Sequence, residues 1–287
     1  MMVLLQVIVA GLLIGSVYAL FSSGLTLVWG MMNVINFAHG EFVMLGMYVA
    51  FWGLTVFHLG VIGFGFAAAV LLFILGVLVY FLLIKSVMRG PMLAQILSTF
   101  GLLLVLRYSA FMAFGSDFVG LPEDILGPSY NVGGILLSAP KVVAGVTALV
   151  ITLGLHFMLT KTMLGSRILA VAENRNAAML MGIRPDRMQA IAWGISGASA
   201  GLAGALIATF YPVSATVGES LGLIAFVVVT FGGFGSVPGA MLAGLIIGLI
   251  ESLSAFYFGP VYQDVFVYAL FVLVLWVRPH GLMGKAP

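Results

Sequence analysis

The sequence predicts an all-α protein, a polytopic transmembrane helical bundle of eight or nine spans that forms a single domain over residues 1–287. Composition supports this prediction, because 63% of the residues are hydrophobic and only 7% are charged. A soluble domain carries about 25% charged residues. Nine acidic and eleven basic side chains cannot hydrate the surface of a soluble fold of this size. The lipid bilayer is therefore expected to be the solvent for most of the surface.

Apolar runs of membrane-spanning length follow one another along the chain, and a span needs about 20 such residues. Eight runs have a suitable length: 3–29, 41–57, 61–84, 91–114, 141–160, 190–210, 239–258 and 263–278. The first has no basic residues before it and is too long for the core of a signal peptide, so we expect it to be a retained span. A ninth run, 221–231, is short, and both a full crossing and a re-entrant turn are open for it.

Basic residues predict the orientation, because short cytoplasmic loops carry an excess of lysine and arginine. A single alternation of spans places nine of the eleven basic residues on the cytoplasmic side. These nine are Lys85, Arg89, Lys161, Arg167, Arg175, Arg184, Arg187, Arg278 and Lys285. That arrangement needs nine crossings if the N-terminus lies outside.

Two stretches outside the spans are long enough to hold structure of their own. The outer loop, 115–140, contains several prolines and glycines and is expected to be irregular. The cytoplasmic segment, 161–189, is rich in good helix formers. Gly182 supplies a C-terminal stop, and Pro185 follows shortly after it. We expect one or two short helices at the cytoplasmic face.

Searches for catalytic and cofactor motifs find nothing. The chain has no cysteine, no phosphate-binding G-x-x-x-x-G-K-[ST] loop and no H-E-x-x-H pair. We therefore expect no catalytic residues, no metal site and no cofactor in this chain. A formal net charge of +2 does not suggest a nucleic-acid partner.

Polar residues inside the apolar runs are costly in a bilayer and are candidates for a translocation path. Asn33, Asn36 and His39 lie between two strongly apolar runs. They form either an unwound passage lining or a polar loop in which Asn36 caps the next helix. The other candidates are Ser98, Thr99 and Thr230; hydroxyls of this kind commonly bond back to a carbonyl one turn earlier.

Arg107 lies about one third of a span from the outer surface. It could attract a substrate carboxylate, but snorkelling to the surface, or pairing with an acid such as Asp117, is the favoured interpretation.

The sequence also resembles a known family over nearly its whole length. GLTLVWGMMNVINFAHGEFVMLGMY (24–48) looks like the signature region of branched-chain amino-acid ABC transporter permeases. LGSRILAVAENRNAAMLMGI (164–183) resembles the cytoplasmic coupling loop of that family. VTFGGFGSVPGAMLAGLIIGLIE (229–251) and the closing RPHGLMG are similar to its later hallmarks.

The resemblance implies a permease subunit of an ATP-driven importer in a bacterial inner membrane, moving branched-chain amino acids or a related small polar solute. It implies a second homologous permease, two cytoplasmic ATPase subunits that bind the ATP, and a periplasmic substrate-binding protein. It also implies that the ATPase docks on the cytoplasmic segment. The residues carried over to that role are Gly165, Arg167, Ala172, Glu173, Asn174, Ala177, Gly182 and Ile183.

Two other classes of protein compete with this interpretation. A secondary transporter or channel acting without an ATPase would need a coupling acid near the midplane, and no acid is convincingly placed there by the sequence. A membrane-embedded enzyme would need a convergent His, Asp or Ser set in the spans, and none is visible.

Overall fold

Nine crossings build the bundle in the computed structural model, which describes residues 2–88, 90–122, 125–127, 129–132, 135–278 and 281–284. Seven helices in this part of the chain are long and apolar enough to cross a membrane. Two shorter helices, α2 and α10, complete the set. Arg89, Glu123, Asp124 and Lys285 lie outside the described residues, as do two residues of the closing RPHGLMG.

The helices follow the predicted runs closely. The bounds are α1 (Met2–Met32), α2 (His39–Thr55), α3 (Val61–Val79), α4 (Lys85–Val87), α5 (Met92–Phe114), α6 (Ala139–Lys161), α7 (Met163–Glu173), α8 (Arg175–Leu180), α9 (Pro185–Ile207), α10 (Val217–Gly232), α11 (Val237–Phe258) and α12 (Gln263–Val277). A π-helical turn, Tyr80–Ile84, joins α3 to α4. A short 3-10 helix, Pro260–Tyr262, precedes α12.

Contacts at one end of the bundle define a basic face. There Leu27 and Met31 of α1 share an apolar cluster with Ile168 of α7, Met188 of α9 and Val237 of α11. The Lys85–Asp186 ion pair brings the end of α4 to the start of α9. We call this end, with Lys85, Lys161 and the arginines of 167–187, the basic face.

The ninth crossing is α10. It follows α9, whose last residue lies away from the basic face, and it precedes α11, which begins at the basic face. Backbone bonds from Leu282 to Phe231 and from Met283 to Gly232 bring the segment after α12 to the end of α10. The short run 221–231 therefore crosses the bundle, and the sequence alternative of a re-entrant turn is wrong.

Glycines hold the centre of the bundle together. A Cβ added to Gly15 of α1 would lie 2.6 Å from the Gly244 carbonyl oxygen of α11, and one added to Gly11 would lie 2.8 Å from that of Gly248. Gly24 meets the Ser196 backbone of α9 in the same way, and Gly201 of α9 meets the Ala68 carbonyl of α3. Small residues let membrane helices approach closely, and here they pack the backbones of α1, α3, α9 and α11 against one another.

The outer loop is more ordered than predicted. It contains a two-stranded antiparallel hairpin, β1 (Tyr130–Val132) with β2 (Ile135–Leu137). A single bridge between Val119 and Val213 attaches the same loop to the connection between α9 and α10.

Candidate translocation site and coupling segment

Helix α2 starts deep inside the protein. After α1 ends at Met32, residues 33–38 leave the helical path, beginning with Asn33 in the left-handed region at φ +53°. His39, the first residue of α2, donates from Nε2 to the Phe21 carbonyl of α1 at 2.8 Å. Phe21 precedes the end of α1 by eleven residues, or about 16 Å along the helix axis. The 33–38 segment therefore runs from the basic face into the interior of the bundle before α2 begins.

Helix α10 starts at a similar depth and meets α2 end to end. Gly40 packs on the backbone of Gly218 and Gly222, so tightly that a Cβ would overlap the Gly218 carbonyl oxygen. Gly218 itself lies fourteen residues before the end of α10, about 21 Å along the helix axis from its end at the basic face. The N-termini of two interrupted helices thus converge inside the span, an arrangement that transporters use at midplane sites.

A single arginine bridges the two converging helices. Arg107 of α5 donates from Nε and Nη2 to Oε1 of Glu41, at 3.1 and 2.7 Å. Its Nη1 donates to Oε2 of Glu219 at 2.9 Å. We call these three residues the ionic triad. Arg107 therefore pairs with acids, as the favoured sequence interpretation expects, but its partners are Glu41 and Glu219 rather than the suggested Asp117.

The members of the triad differ greatly in exposure. The Glu41 side chain exposes 1% of its surface, Arg107 exposes 16% and Glu219 exposes 66%. Glu41 is thus a buried half of an ion pair, whereas Glu219 reaches the same arginine from an open position. The second oxygen of Glu41, Oε2, has no hydrogen-bond partner among the described residues and lies against Gly218.

Helix dipoles explain how two carboxylates share one arginine. Glu41 lies in the first turn of α2, and Glu219 lies in the first turn of α10. Each helix N-terminus carries about half a positive charge and favours nearby anions. The two N-termini and Arg107 together balance the two carboxylates, so the triad can persist inside a bilayer-spanning protein.

The polar residues proposed for a translocation path are dispersed by the fold. Asn36 is buried, and its Oδ1 accepts from the Ala38 amide just ahead of α2. Thr99 is buried and donates to the Ile35 carbonyl, which attaches α5 to the 33–38 segment. Ser98 bonds back to the Ala94 carbonyl. Thr230 is buried, whereas Asn33 is exposed. A role for these residues in transport stays a prediction.

An unburied stripe runs along α10 from the triad towards the basic face. Glu219 and Leu223 are exposed, Phe226 is partly buried, and all three lie on one side of the helix because they are four and three residues apart. The Phe226 ring packs on Phe37 of the 33–38 segment at 5.3 Å between centroids. A charged residue within a span avoids lipid, so this stripe is expected to face a water-filled or protein-lined space.

Sequence reasoning missed two members of the triad. Neither Glu41 nor Glu219 is among the site residues that the sequence analysis proposed. Each does carry one local signal, an acid in the first turn of a helix. Their common partner lies 66 and 112 residues away in sequence, a separation that one sequence cannot bridge.

The cytoplasmic segment folds into two capped helices, as predicted. The Thr162 side chain accepts from the Gly165 amide at the start of α7, and the Asn174 side chain accepts from the Ala177 amide at the start of α8. Gly182, at φ +78°, ends α8, and Pro185 starts α9. The Asn174 cap lies at the bend between α7 and α8.

The residues proposed for ATPase docking divide into two groups in this segment. Arg167, Glu173, Asn174, Ala177 and Gly182 are exposed. Gly165 is buried. Ala172 and Ile183 are partly buried against the apolar cluster that contains Ile168 and Met188. Exposed apolar side chains extend the outward surface, with Leu180 at 89% and Met181 at 82%. A role in docking the ATPase stays a prediction, and this exposed surface is where the ATPase would bind.

An ion-pair chain joins the two-helix segment to the spans. Asp186 at the start of α9 binds Arg175 of α8 at 3.1 Å and Lys85 of α4 at 2.8 Å. Close by, the Tyr80 hydroxyl of the π-helical turn donates to Oε1 of Gln189 at 2.8 Å. Four residues separate α4 from α5. These contacts connect α8 with α9 and α4, and α5 follows α4 in the chain.

Comparisons with known proteins identify the family of this chain. The family model described as branched-chain amino acid transport system / permease component matches residues 7–275. The chain belongs to this family. It is a multi-pass membrane protein and a permease component of a transport system.

Full-length relatives agree with the family model. The high-affinity branched-chain amino acid transport system permease protein LivH of Escherichia coli (strain K12) is 34% identical, over 98% of this chain and 96% of the relative. Its counterpart BraD of Pseudomonas aeruginosa is 32% identical over the same shares.

A more distant relative is the autoinducer 2 import system permease protein LsrC of Yersinia pestis (strain Pestoides F). It is 28% identical over 74% of this chain and 61% of the relative. No solved structure matches the chain.

Proposed function

We propose that this chain is the membrane-spanning subunit of an ATP-driven importer for branched-chain amino acids in a bacterial inner membrane. The observation that carries the proposal is the family match over residues 7–275, with full-length relatives that are branched-chain amino acid permeases. In this proposal a second homologous permease completes the passage, two cytoplasmic ATPases bind the ATP, and a periplasmic protein delivers the substrate.

The geometry supports a route for the coupling. The ATPases engage the exposed surface of α7 and α8, and their closure on ATP displaces α8. Arg175 transmits that movement to Asp186 and Lys85, and the short connection after α4 transmits it to α5. Tilting α5 moves Arg107 relative to the N-termini of α2 and α10, and so alternates access to the space beside them.

The first experiment is co-purification of the tagged chain from its native membrane in mild detergent. The wild type is expected to bring down an ATPase and a second permease. Glu173→Arg is expected to lose the ATPase while retaining the second permease, because it reverses a charge on the docking surface. Asp117→Arg, the same reversal on an exposed residue at the opposite end of the bundle, serves as the matched control and is expected to retain both.

Uptake assays then test the substrate. Membrane vesicles holding the assembled complex and the binding protein are expected to accumulate radiolabelled leucine, isoleucine or valine only with ATP. Accumulation without ATP, from a chain that purifies alone, would instead establish a secondary transporter or channel.

A further inference from the structure

The ionic triad contains one carboxylate more than its ion pair needs. Arg107 and Glu41 already neutralise each other through two hydrogen bonds to one carboxylate oxygen. Glu219 adds a third charge at the remaining end of the guanidinium fork, from a position that is 66% exposed. An exposed glutamate on the surface of a bundle gains little from one ion pair. The carboxylate at Nη1 can therefore be exchanged for another at little cost.

The surroundings of that position suit one class of ligand. Arg107 Nη1 offers a donor to a carboxylate, and arginine forks bind carboxylates with defined geometry. A displaced Glu219 offers an acceptor to an ammonium group. One turn further along the same face of α10, Leu223 exposes 49% of its surface and can contact an aliphatic side chain. The site thus offers one partner to each group of such a ligand: Arg107 Nη1 to the carboxylate, Glu219 to the ammonium and Leu223 to the branched aliphatic side chain.

We propose that Glu219 occupies the carboxylate site of Arg107 in the ligand-free protein, and that the ligand is a zwitterionic aliphatic α-amino acid that displaces it. The ligand carboxylate takes the place of Glu219 at Nη1, and the ligand ammonium pairs with the displaced Glu219. This proposal rests on the proposed function and assigns its substrate site to the α5–α10 boundary.

The exchange leaves the net charge of the site unchanged, which makes it feasible inside a span. Before binding, the triad holds two carboxylates against Arg107 and two helix N-termini. A zwitterion adds one positive and one negative charge, so the net charge is unchanged and every new charge has an opposite partner. An anion lacking the ammonium would leave Glu219 displaced and unpaired. A cation that lacks the carboxylate could not displace Glu219 from Arg107.

Glu219 is the residue to change, because it is exposed and its removal leaves the Arg107–Glu41 pair intact. In Glu219→Gln the internal competitor is weakened and the ammonium partner is lost. The preference for leucine over 4-methylpentanoate, which has the same skeleton without the ammonium, is therefore expected to fall about ten-fold or more, the effect of losing a charge-assisted hydrogen bond. Affinity for 4-methylpentanoate itself is expected to rise.

The measurement is equilibrium dialysis of the purified permease–ATPase complex, without the binding protein, against radiolabelled leucine. Unlabelled 4-methylpentanoate and leucinamide are the competitors. Asp117→Asn, the same loss of one exposed carboxylate outside the spans, is the matched control and is expected to keep the wild-type preference. Leucinamide, without a carboxylate, is expected not to compete in any variant.

Three results would overturn the proposal. They are an unchanged preference in Glu219→Gln, an equal change in Asp117→Asn, and a wild-type complex that binds no leucine saturably. ATP-dependent leucine uptake by the same wild-type complex, with the binding protein added back, separates these outcomes from failure of the proposed function. If uptake persists while the dialysis result fails, the substrate site lies elsewhere; if uptake is absent, the importer assignment itself fails.

Discussion

Helices α1 and α5 are both long and apolar, yet they are held in the bundle in opposite ways. Backbone contacts at glycine fix α1, where a Cβ on Gly15 would meet α11 at 2.6 Å. Helix α5 also has a glycine within its span, Gly101, and no described residue lies within 4 Å of a Cβ added there. Within an 18-residue apolar stretch of each helix, only 11% of α5 is buried, against 39% of α1.

Specific side-chain bonds attach α5 instead. Arg107 holds it to α2 and α10, Thr99 holds it to the 33–38 segment, and Phe114 stacks on Tyr48 with 4.2 Å between ring centroids. A close-packed core has little freedom to shift, whereas a helix attached by a few exchangeable bonds can tilt as a unit. The comparison indicates that α1, α3, α9 and α11 form the frame and that α5 is the element that moves.

The largest effect is expected from removing the charge of Arg107. Arg107→Gln leaves Glu41 buried without its ion-pair partner, which costs about 3–5 kcal/mol. The loss should appear as a fall in folded yield and in the thermal unfolding midpoint in detergent. The double variant Glu41→Gln/Arg107→Gln removes both charges and is expected to recover most of that stability. If the single and double variants lose equal stability, Arg107 does not hold α5 through Glu41.

A glycine pair sharpens the comparison between the two helices. Gly15→Ala forces the α1 and α11 backbones apart and is expected to destabilise the protein by about 1–3 kcal/mol. Gly101→Ala meets no neighbour and adds helix propensity, so it is expected to be neutral or to stabilise by up to about 1 kcal/mol. Thermal unfolding of the two purified variants gives the sign of each change, and equal signs would contradict a packed frame beside a loosely packed α5.

The bond between α5 and the 33–38 segment should have a smaller effect. Thr99→Val keeps the shape of the side chain but removes its donor to the Ile35 carbonyl, which costs about 0.5–1.5 kcal/mol. Ser98→Ala, at the adjacent residue, loses only a bond within its own helix and serves as the control. Hydrogen exchange of the 33–38 amides is expected to rise in Thr99→Val and to stay at the wild-type level in Ser98→Ala.

The smallest effect on stability is expected at the basic face. Lys85→Gln breaks a half-exposed ion pair with Asp186, worth about 0–1 kcal/mol. If this pair carries movement from α8 towards α5, leucine uptake per ATP hydrolysed should nevertheless fall. Lys161→Gln, another exposed lysine of the same face, provides the comparison. An equal ratio of uptake to hydrolysis in the two variants would remove the ion-pair chain from the mechanism.

The sequence predicted most of the fold because each span is a local apolar run. The bounds of α5 and α11 agree with the predicted runs to within two residues, α3 reaches the predicted end at 84 through its π-helical turn, and Gly182 ends α8 as expected. The short run at 221–231 could not be assigned from length alone. Its crossing is decided by contacts of α11 and of the segment after α12, which no local pattern reveals.

The site was much less predictable than the spans. The polar residues Asn33, Asn36 and His39 marked the interruption before α2, but the ionic triad joins three helices that are distant in sequence. The sequence analysis expected an acid to pair with Arg107 and suggested Asp117 as an example. Packing of Gly40 on Gly218 brings Glu219 there instead, and that approach depends on tertiary structure.

The central claim is that α5 moves against a glycine-packed frame, and distances between spin labels test it most directly. The natural chain has no cysteine, so single cysteines can be introduced at exposed sites without removing others. One pair, Leu104→Cys with Leu242→Cys, joins α5 to α11; the other, Ile74→Cys with Leu242→Cys, joins α3 to α11. In the assembled complex, ATP is expected to shift the α5–α11 distance and to leave the α3–α11 distance unchanged. A shift in both pairs, or in neither, would contradict the account.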